Sequence, residues 1–377
     1  MRHPSDSALA ELTQALALQA ERYDRSARFP QDNIDLLHRH GLLAFTVPQA
    51  LGGAGASLAE ARRVIGALGK GDPATALIVA MQYLQHVRLQ AHTDWPDALR
   101  QRVAVEAVHQ GALINALRVE PELGSPTRGG LPATVARRTA DGWRLSGRKL
   151  YATGSHGLTW LLVWARSDDP DPLVGSFLVH RDTPGITIVD TWDHLGMRAT
   201  CSHEVRFDEV PLPLEHAVSV SPASAPRAEL DAEGLVWMAV LLSAVYDGVA
   251  RAARDWLATF LTQRAPSNLG APLASLPRFE TVLGRIDTLL FANQSLLDAA
   301  TTGQVAGPHA GQLKHLVSAN AIQAVELALE AAGNPGLSRH NPLERHYRDV
   351  LCSRIHTPQD DAVFTQVGRA ALAQVPA

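Results

Sequence analysis

The spacing of apolar residues changes character twice along this chain, and the order of those changes restricts the folds open to it. From Ser7 to about Gly111 the spacing is helical. Leu12, Leu16 and Leu18 open one amphipathic segment, Ile34 to Leu43 forms a second, and LAEARRVIGALGKGDPATALIVAMQYLQ a third, broken at Gly71-Asp72-Pro73. From about Ala112 to Ser219 the period becomes two. TVARRTADGWRLSGRKLYAT alternates around an Asp141-Gly142 turn, and WLLVWARS, GSFLVHRD, GITIVDTW and SHEVRFDEV follow with turn residues between them. From Pro226 onward long helical patterns return, over Leu235 to Leu261, Leu276 to Ala299 and Leu313 to Ala332. The expected organisation is α+β and multidomain: helices, then an antiparallel barrel or sandwich, then a helical bundle, with boundaries at 1–111, 112–222 and 223–377.

A chain of 377 residues has ample length for such a core, and 46% apolar with 19% charged residues is the composition of a globular protein. The net charge of -4 offers no long-range attraction to phosphate backbones or anionic lipid. Small molecules are therefore the expected partners, not nucleic acid or membrane. The longest apolar stretch, GLVWMAVLLSAVYDGVA, is interrupted by Ser243 and Asp247 and falls short of the roughly 20 residues of a membrane span. Cys201 and Cys352 are too few for a disulfide framework and show no CxxC spacing. With an N-terminus unlike a signal peptide, they suggest a cytoplasmic protein.

Generic catalytic signatures are missing from the sequence. GALGKGD lacks the glycine spacing and the following Ser or Thr of a P-loop, and neither HExxH nor GxSxG occurs. The histidines are scattered, and the spacing of His340, His346 and His356 gives no case for a metal. The glycine loop VPQALGGAGAS reads as a connector, since no strand precedes it.

Five short motifs in a fixed order carry more information than any of these. FPQDNIDLLHRHGLLAFTVPQALGGAGAS, VEPELGS, GRKLYATGS, WDHLGMRATCSHEVRFDEVPLP and LERHYRDV together resemble the acyl-CoA dehydrogenase superfamily over nearly the whole length. The resemblance implies a helical domain, a middle β-domain and a C-terminal four-helix bundle. It also implies a flavoprotein binding FAD, or alternatively FMN. By that resemblance Thr153 donates a hydrogen bond to the flavin ring, Tyr151 covers one ring face, and Ser125 holds the cofactor's phosphate or ring edge. Such contacts suit a ring that gains negative charge on reduction. Arg264 matches an arginine that reaches a neighbouring subunit's cofactor, and Gly333 a glycine turn near the adenosine end. The implied assembly is a homodimer or homotetramer, with an electron-transfer partner or a flavin reductase supplying or removing electrons.

The departures bear on the reaction. Val119 stands where the family has a flavin-contacting threonine, and the positions of a thioester-binding arginine and a helix-borne base fall near Ala239 and Met238. The family's tyrosine-glutamate loop is replaced by His356 and Thr357 in HTPQDD, so the usual proton-abstracting glutamate is absent. Three functions remain open. One is α,β-dehydrogenation of an acyl thioester-like substrate, hydride passing to flavin N5, with Asp360, Asp361 or His356 as base. Another is reduced-flavin monooxygenation in which His356 donates to a flavin C4a-peroxide. The last is a flavin-fold protein without catalysis. His356 equally suits a helix C-terminus, and Asp360 and Asp361 the N-terminal cap of the helix DDAVFTQVGRAALA.

Overall fold

A computed structural model describes residues 3–374 apart from 92–94, 124–129 and 226–230. Five helices come first: α1 (Asp6–Ser26), α2 (Gln31–Arg39), α3 (Leu58–Gly71), α4 (Pro73–Ala91) and α5 (Asp97–Gln110). Their ends are fixed locally. The Ser5 hydroxyl accepts from the Ala8 N–H at the start of α1, and Ser57 with Glu60 forms a reciprocal capping box at the start of α3. The break at Gly71-Asp72-Pro73 is a corner between α3 and α4. The buried Asp72 carboxylate receives the Ala74 and Thr75 N–H groups and the Asn33 amide, tying α2 to the start of α4.

Among the described residues eight strands follow: β1 (Leu113–Leu117), β2 (Val135–Thr139), β3 (Gly142–Ala152), β4 (Leu158–Ser167), β5 (Leu173–His180), β6 (Ile186–Val189), β7 (His203–Leu212) and β8 (Ala217–Pro222). They form one sheet in the order β6-β7-β3-β2-β4-β5-β8, with β1 beside β4. The Asp141-Gly142 turn closes the β2–β3 hairpin as the alternation predicts. A Cβ on Gly142 would lie 2.1 Å from the Leu212 carbonyl oxygen, so only glycine fits. The expectation of a purely antiparallel sheet needs correcting, because β1 and β2 both run parallel to β4. The reason is topological. β1 enters from α5 and lies beside β4, with the β2–β3 hairpin intervening in sequence, an arrangement that residue alternation cannot encode.

The C-terminal region consists of α6 (Ala232–Gln263), α7 (Pro277–Thr301), α8 (Ala310–Ala332), the short α9 (Asn334–Leu337), α10 (Leu343–Leu351) and α11 (Asp360–Ala373). At 32 residues α6 is about 48 Å long and is apolar enough to cross a membrane. Most of it is instead buried, packed on α3, α4, α7, α8 and α10. Small residues permit that closeness. A Cβ on Gly69 would lie 2.6 Å from the Val245 carbonyl oxygen, and one on Gly248 2.6 Å from that of Gly66. This contact between α3 and α6 fixes the turn of α6 that carries Tyr246. Buried apolar side chains from all three regions form one continuous core, from Leu9 and Leu16 through Leu145 and Val205 to Leu241 and Val350.

Candidate active site

Two groups of predicted residues are brought together by the fold, and others are left at the surface. The first group lies where β3 ends. Tyr151 is held at φ 56, a left-handed conformation that costs a non-glycine residue energy, and its ring is 55% exposed. Beside it, Trp192 and His194 stack with ring centroids 3.6 Å apart, and both meet Tyr151 edge-on. Burial lowers the pKa of His194, which favours the neutral ring. An exposed aromatic platform of this size suits a planar heterocycle.

Thr153 stands two residues on. Its carbonyl accepts from the Asn115 amide at 3.0 Å, which ties the end of β3 to β1. Its hydroxyl lies 3.1 Å from that of Ser202, which lies 2.8 Å from that of Thr200, and Thr200 donates to the Met197 carbonyl at 2.9 Å. Each hydroxyl has a single proton, so the row has one direction: Ser202 donates to Thr200, and Thr153 donates to Ser202. The Thr153 oxygen is left presenting lone pairs outward, which corrects the expectation of a donor to the flavin ring: its proton is already engaged by Ser202. Asn115 lay outside any motif, and Ser202, although inside WDHLGMRATCSHEVRFDEVPLP, was not singled out there. Neither residue type at that spacing is a signal by itself.

The glutamate of VEP is absorbed by the structure. Glu120 is buried and receives the Lys149 ammonium at 2.6 Å, the Thr134 hydroxyl at 2.6 Å, and the Ala133 and Thr134 N–H groups. Although burial opposes its charge, these bonds hold its pKa below the usual value, while burial pushes Lys149 down to about 8. Ser125 lies outside the described residues.

The second group surrounds HTPQDD. After α10 a 3-10 turn over Cys352–Ile355 leads to His356, whose backbone is extended, and the Thr357–Pro358 bond is cis. The Tyr246 hydroxyl lies 2.5 Å from His356 Nε2. Burial raises Tyr246 well above the ordinary phenol value, and burial with the nearby Lys314 charge lowers His356 to about 4. Both groups are neutral at pH 7. The single proton in this contact comes from tyrosine, since the buried phenol has no other acceptor among the described residues. The imidazole proton then sits on Nδ1, so His356 presents a donor.

The two aspartates part company. Gln359 occupies the N-cap of α11, and Asp360 and Asp361 stand in its first turn, where negative charge meets the positive end of the helix dipole. The expectation that they are the cap itself is thus shifted by one residue. Asp360 faces His315 Nδ1 at 3.1 Å and the buried Lys314 ammonium at 3.9 Å, whereas Asp361 is exposed. Arg264 is exposed at the C-cap of α6, and Gly333 is exposed at the C-cap of α8 with φ 64.

The fold also assembles a cluster that the scattered histidines gave no hint of. His156, Cys201 and His203 offer ligand-type atoms within 4.8 Å of one another, beside a cleft of about 600 Å³ lined by Phe29 and Trp192. His203 Nδ1 receives the N–H groups of Thr191 and Trp192, both at 3.1 Å. Its proton therefore sits on Nε2, facing Asp190 at 3.6 Å, and His156 Nε2 is 2.9 Å from the same carboxylate oxygen. This arrangement braces the loop that carries Trp192. A metal would need the Nε2 lone pair, which that tautomer does not offer. Burial and the Asp190 charge push the Cys201 thiol up to about 12, which makes it a poor nucleophile.

Family models describing the acyl-CoA dehydrogenase N-terminal, middle and C-terminal domains match residues 5–91, 118–210 and 240–360. The chain belongs to the acyl-CoA dehydrogenase superfamily. It is a flavin-dependent oxidoreductase, in a family that uses FAD and has relatives that hold FMN. It is 35% identical over 355 residues to the putative acyl-CoA dehydrogenase YdbM of Bacillus subtilis, covering 92% of this chain and 91% of that protein. It is 30% identical over 382 residues to L-evernosamine nitrososynthase of a Micromonospora species, covering 96% and 88%. The solved structure of KijD3 with FMN and dTDP-3-amino-2,3,6-trideoxy-4-keto-3-methyl-D-glucose superposes with a TM-score of 0.83 at 28% identity, covering 98% and 93%. Megasphaera elsdenii butyryl-CoA dehydrogenase, at 20% identity and a TM-score of 0.84, shares the fold. The residues present suit a flavin: an exposed aromatic platform, an outward-facing threonine oxygen and a neutral imidazole donor.

Proposed function

We propose that this enzyme is a reduced-flavin-dependent monooxygenase acting on a small molecule. The observation that carries the reading is the Tyr246–His356 pair, which fixes a neutral imidazole with Nδ1–H as donor where the family's proton-abstracting glutamate is absent. Reduced flavin, when bound, supplies the two electrons that activate dioxygen, one oxygen atom entering the substrate and the other leaving as water. The chain's own residues provide orientation and hydrogen bonding. His356 donates from Nδ1 to developing negative charge on oxygen, and Tyr246 keeps the ring from rotating. Thr153 accepts from the flavin ring, and Tyr151 with Trp192 and His194 bounds one side of it. Arg264, exposed on each protomer, serves the cofactor of a neighbouring subunit, and Gly333 approaches the cofactor's adenosine end, so the working unit is a homo-oligomer.

The names of the nitrososynthase relatives, which describe oxidation at nitrogen, support an oxygenating reading. Dehydrogenation of an acyl thioester is the second reading, favoured by the 35% identity to the putative dehydrogenase of Bacillus subtilis. It needs a base, and the loop offers Asp360 engaged with His315 and Asp361 on the surface. The experiment that separates the two compares anaerobic flavin bleaching by a panel of acyl thioesters with oxygen-dependent turnover using a flavin reductase. Rapid anaerobic bleaching without oxygenated product would overturn the monooxygenase reading.

A further inference from the structure

Arg118 follows β1 directly and precedes Val119, whose carbonyl accepts the Leu150 N–H one residue before Tyr151. It therefore stands at the edge of the proposed flavin site. Its guanidinium lies over the Trp164 ring, 4.8 Å from the centroid, and its Nε is sealed from solvent without a hydrogen-bond partner. Arg88 comes from the last turn of α4, which packs on β1. Burial, and after it the Arg88 charge, bring Arg118 down to about 10. Among the described residues neither makes an ion pair within 4 Å, and Asp231 is the acid that acts on Arg88 from farther away. One turn earlier on the same face of α4, the buried Gln85 leaves Oε1 without a partner.

Two sheltered like charges beside unpaired polar atoms are costly, and the arrangement becomes favourable when an anion joins it. Guanidinium pairs suit oxyanions because their forked N–H groups match two oxygens. Stacking on Trp164 keeps the Arg118 plane fixed before any ligand arrives.

We propose that Arg118 and Arg88 form an oxyanion-binding pair that receives the phosphate or carboxylate of the substrate beside the flavin-facing end of β3. Gln85 Oε1 accepts from a hydroxyl or amide N–H next to that anion. The pair anchors the charged part of the substrate and leaves its uncharged part for the chemistry. This deepens the proposed function and rests on it only for the ligand being the substrate. The binding test below needs no turnover, so failure of the monooxygenase reading and failure of the anion site are read separately.

The test is titration calorimetry and thermal melting of the flavin-loaded enzyme with inorganic pyrophosphate and with malonate. The wild type is expected to bind one of the two with a Kd below about 1 mM and to melt higher in its presence. Preference for pyrophosphate assigns a phosphorylated substrate, and preference for malonate a carboxylate. Arg118→Gln and Arg88→Gln should each weaken binding at least about tenfold and, without ligand, melt no lower than wild type, because each relieves repulsion. Arg102, stacked on Trp160 5.0 Å from the centroid and paired with Glu106, is the control, and Arg102→Gln should leave anion binding unchanged. If Arg118→Gln does not fold, Arg88→Gln tests the pair from the other side. No binding of either anion at 10 mM in the wild type, or equal affinity in wild type and variants, overturns the proposal.

Discussion

The Tyr246 hydroxyl and His356 Nε2 lie 2.5 Å apart, joining the middle of the longest helix to a loop 110 residues further along the chain. Tyr246 reaches that place because α6 is pressed onto α3 at Gly69 and Gly248, and its ring is buried. The pair explains how a loop without the family's glutamate still presents one defined hydrogen-bonding group.

Tyr246→Phe should preserve the fold and release the imidazole. The lost hydrogen bond is worth about 1 kcal/mol, or roughly fivefold, and the freed ring divides between two tautomers. Oxygenated product per reduced flavin consumed should fall and hydrogen peroxide should rise by the same amount. His356→Ala should uncouple more completely with flavin affinity unchanged. Because His356 titrates near 4, coupling in the wild type should be flat from about pH 6 to 8. A break near 6.5 would show an ordinary, unburied imidazole and remove the basis of the assignment.

Thr153 supports a different measurement. Its proton is engaged by Ser202, so its outward lone pairs favour a ring nitrogen that carries hydrogen, as N5 does in reduced flavin. Ser202→Ala frees that proton and should shift preference toward oxidised flavin, raising the midpoint potential less than wild type does. Thr153→Val should weaken flavin binding by about 1–3 kcal/mol. Identical potentials in wild type and Ser202→Ala would show that the hydroxyl row does not reach the cofactor.

Much of the fold was legible in the sequence because periodicity and turn chemistry are local. The Asp141-Gly142 hairpin, the corner at Gly71-Asp72-Pro73 and the helix α6 all lie where apolar spacing and glycine placed them. The parallel placement of β1 and β2 against β4 was not legible, since strand direction depends on the path of the connections. At the proposed site, the motif residues Tyr151, Thr153 and His356 could be nominated from their order along the chain. Their partners could not. Tyr246, Ser202, Asn115 and the stacked Trp192 and His194 are ordinary residues whose role comes from tertiary proximity. The Arg88 and Arg118 pair is likewise invisible in sequence, as 30 positions separate two unremarkable cations.

Acid stability follows from three histidines lowered chiefly by burial. His86 and His356 titrate near 4 and His346 near 3, against about 6.5 when unfolded. Between about pH 6 and pH 4 these groups bind up to three more protons in the unfolded chain than in the native one, so the stability they give falls as pH falls. Their joint contribution to the slope approaches about 4 kcal/mol per pH unit at the steepest. Asp349 acts in the opposite sense. Burial raises it to about 7, so its native form holds a proton that the unfolded form has released, and it gives stability that is lost as pH rises from about 4 through 7. Denaturant titrations from pH 4 to 8 should show a steep acid limb that His86→Gln makes shallower. An unchanged limb in that variant would mean that His86 is charged in the native state.

The Lys149–Glu120 pair is the sharpest stability test. Both side chains are buried, at 0% and 1% exposure, and the carboxylate also receives the Thr134 hydroxyl and two backbone N–H groups. Lys149 has been brought down to about 8, because burial outweighs the help it receives from Glu120. Glu120→Gln keeps the shape while leaving that ammonium without its counter-charge, and should cost about 3–5 kcal/mol. Lys149→Met alone leaves Glu120 with its hydroxyl and N–H donors, so its cost should be smaller. The double variant should be more stable than Glu120→Gln, since the stranded charge is gone. Since Glu120 also braces the chain next to Val119 and Arg118, Glu120→Gln should weaken flavin binding as well, whereas the double variant recovers stability without recovering that affinity. Equal melting temperatures for Glu120→Gln and the double variant would mean that the ammonium finds another partner, and would refute the view of this pair as a mutually dependent charge couple.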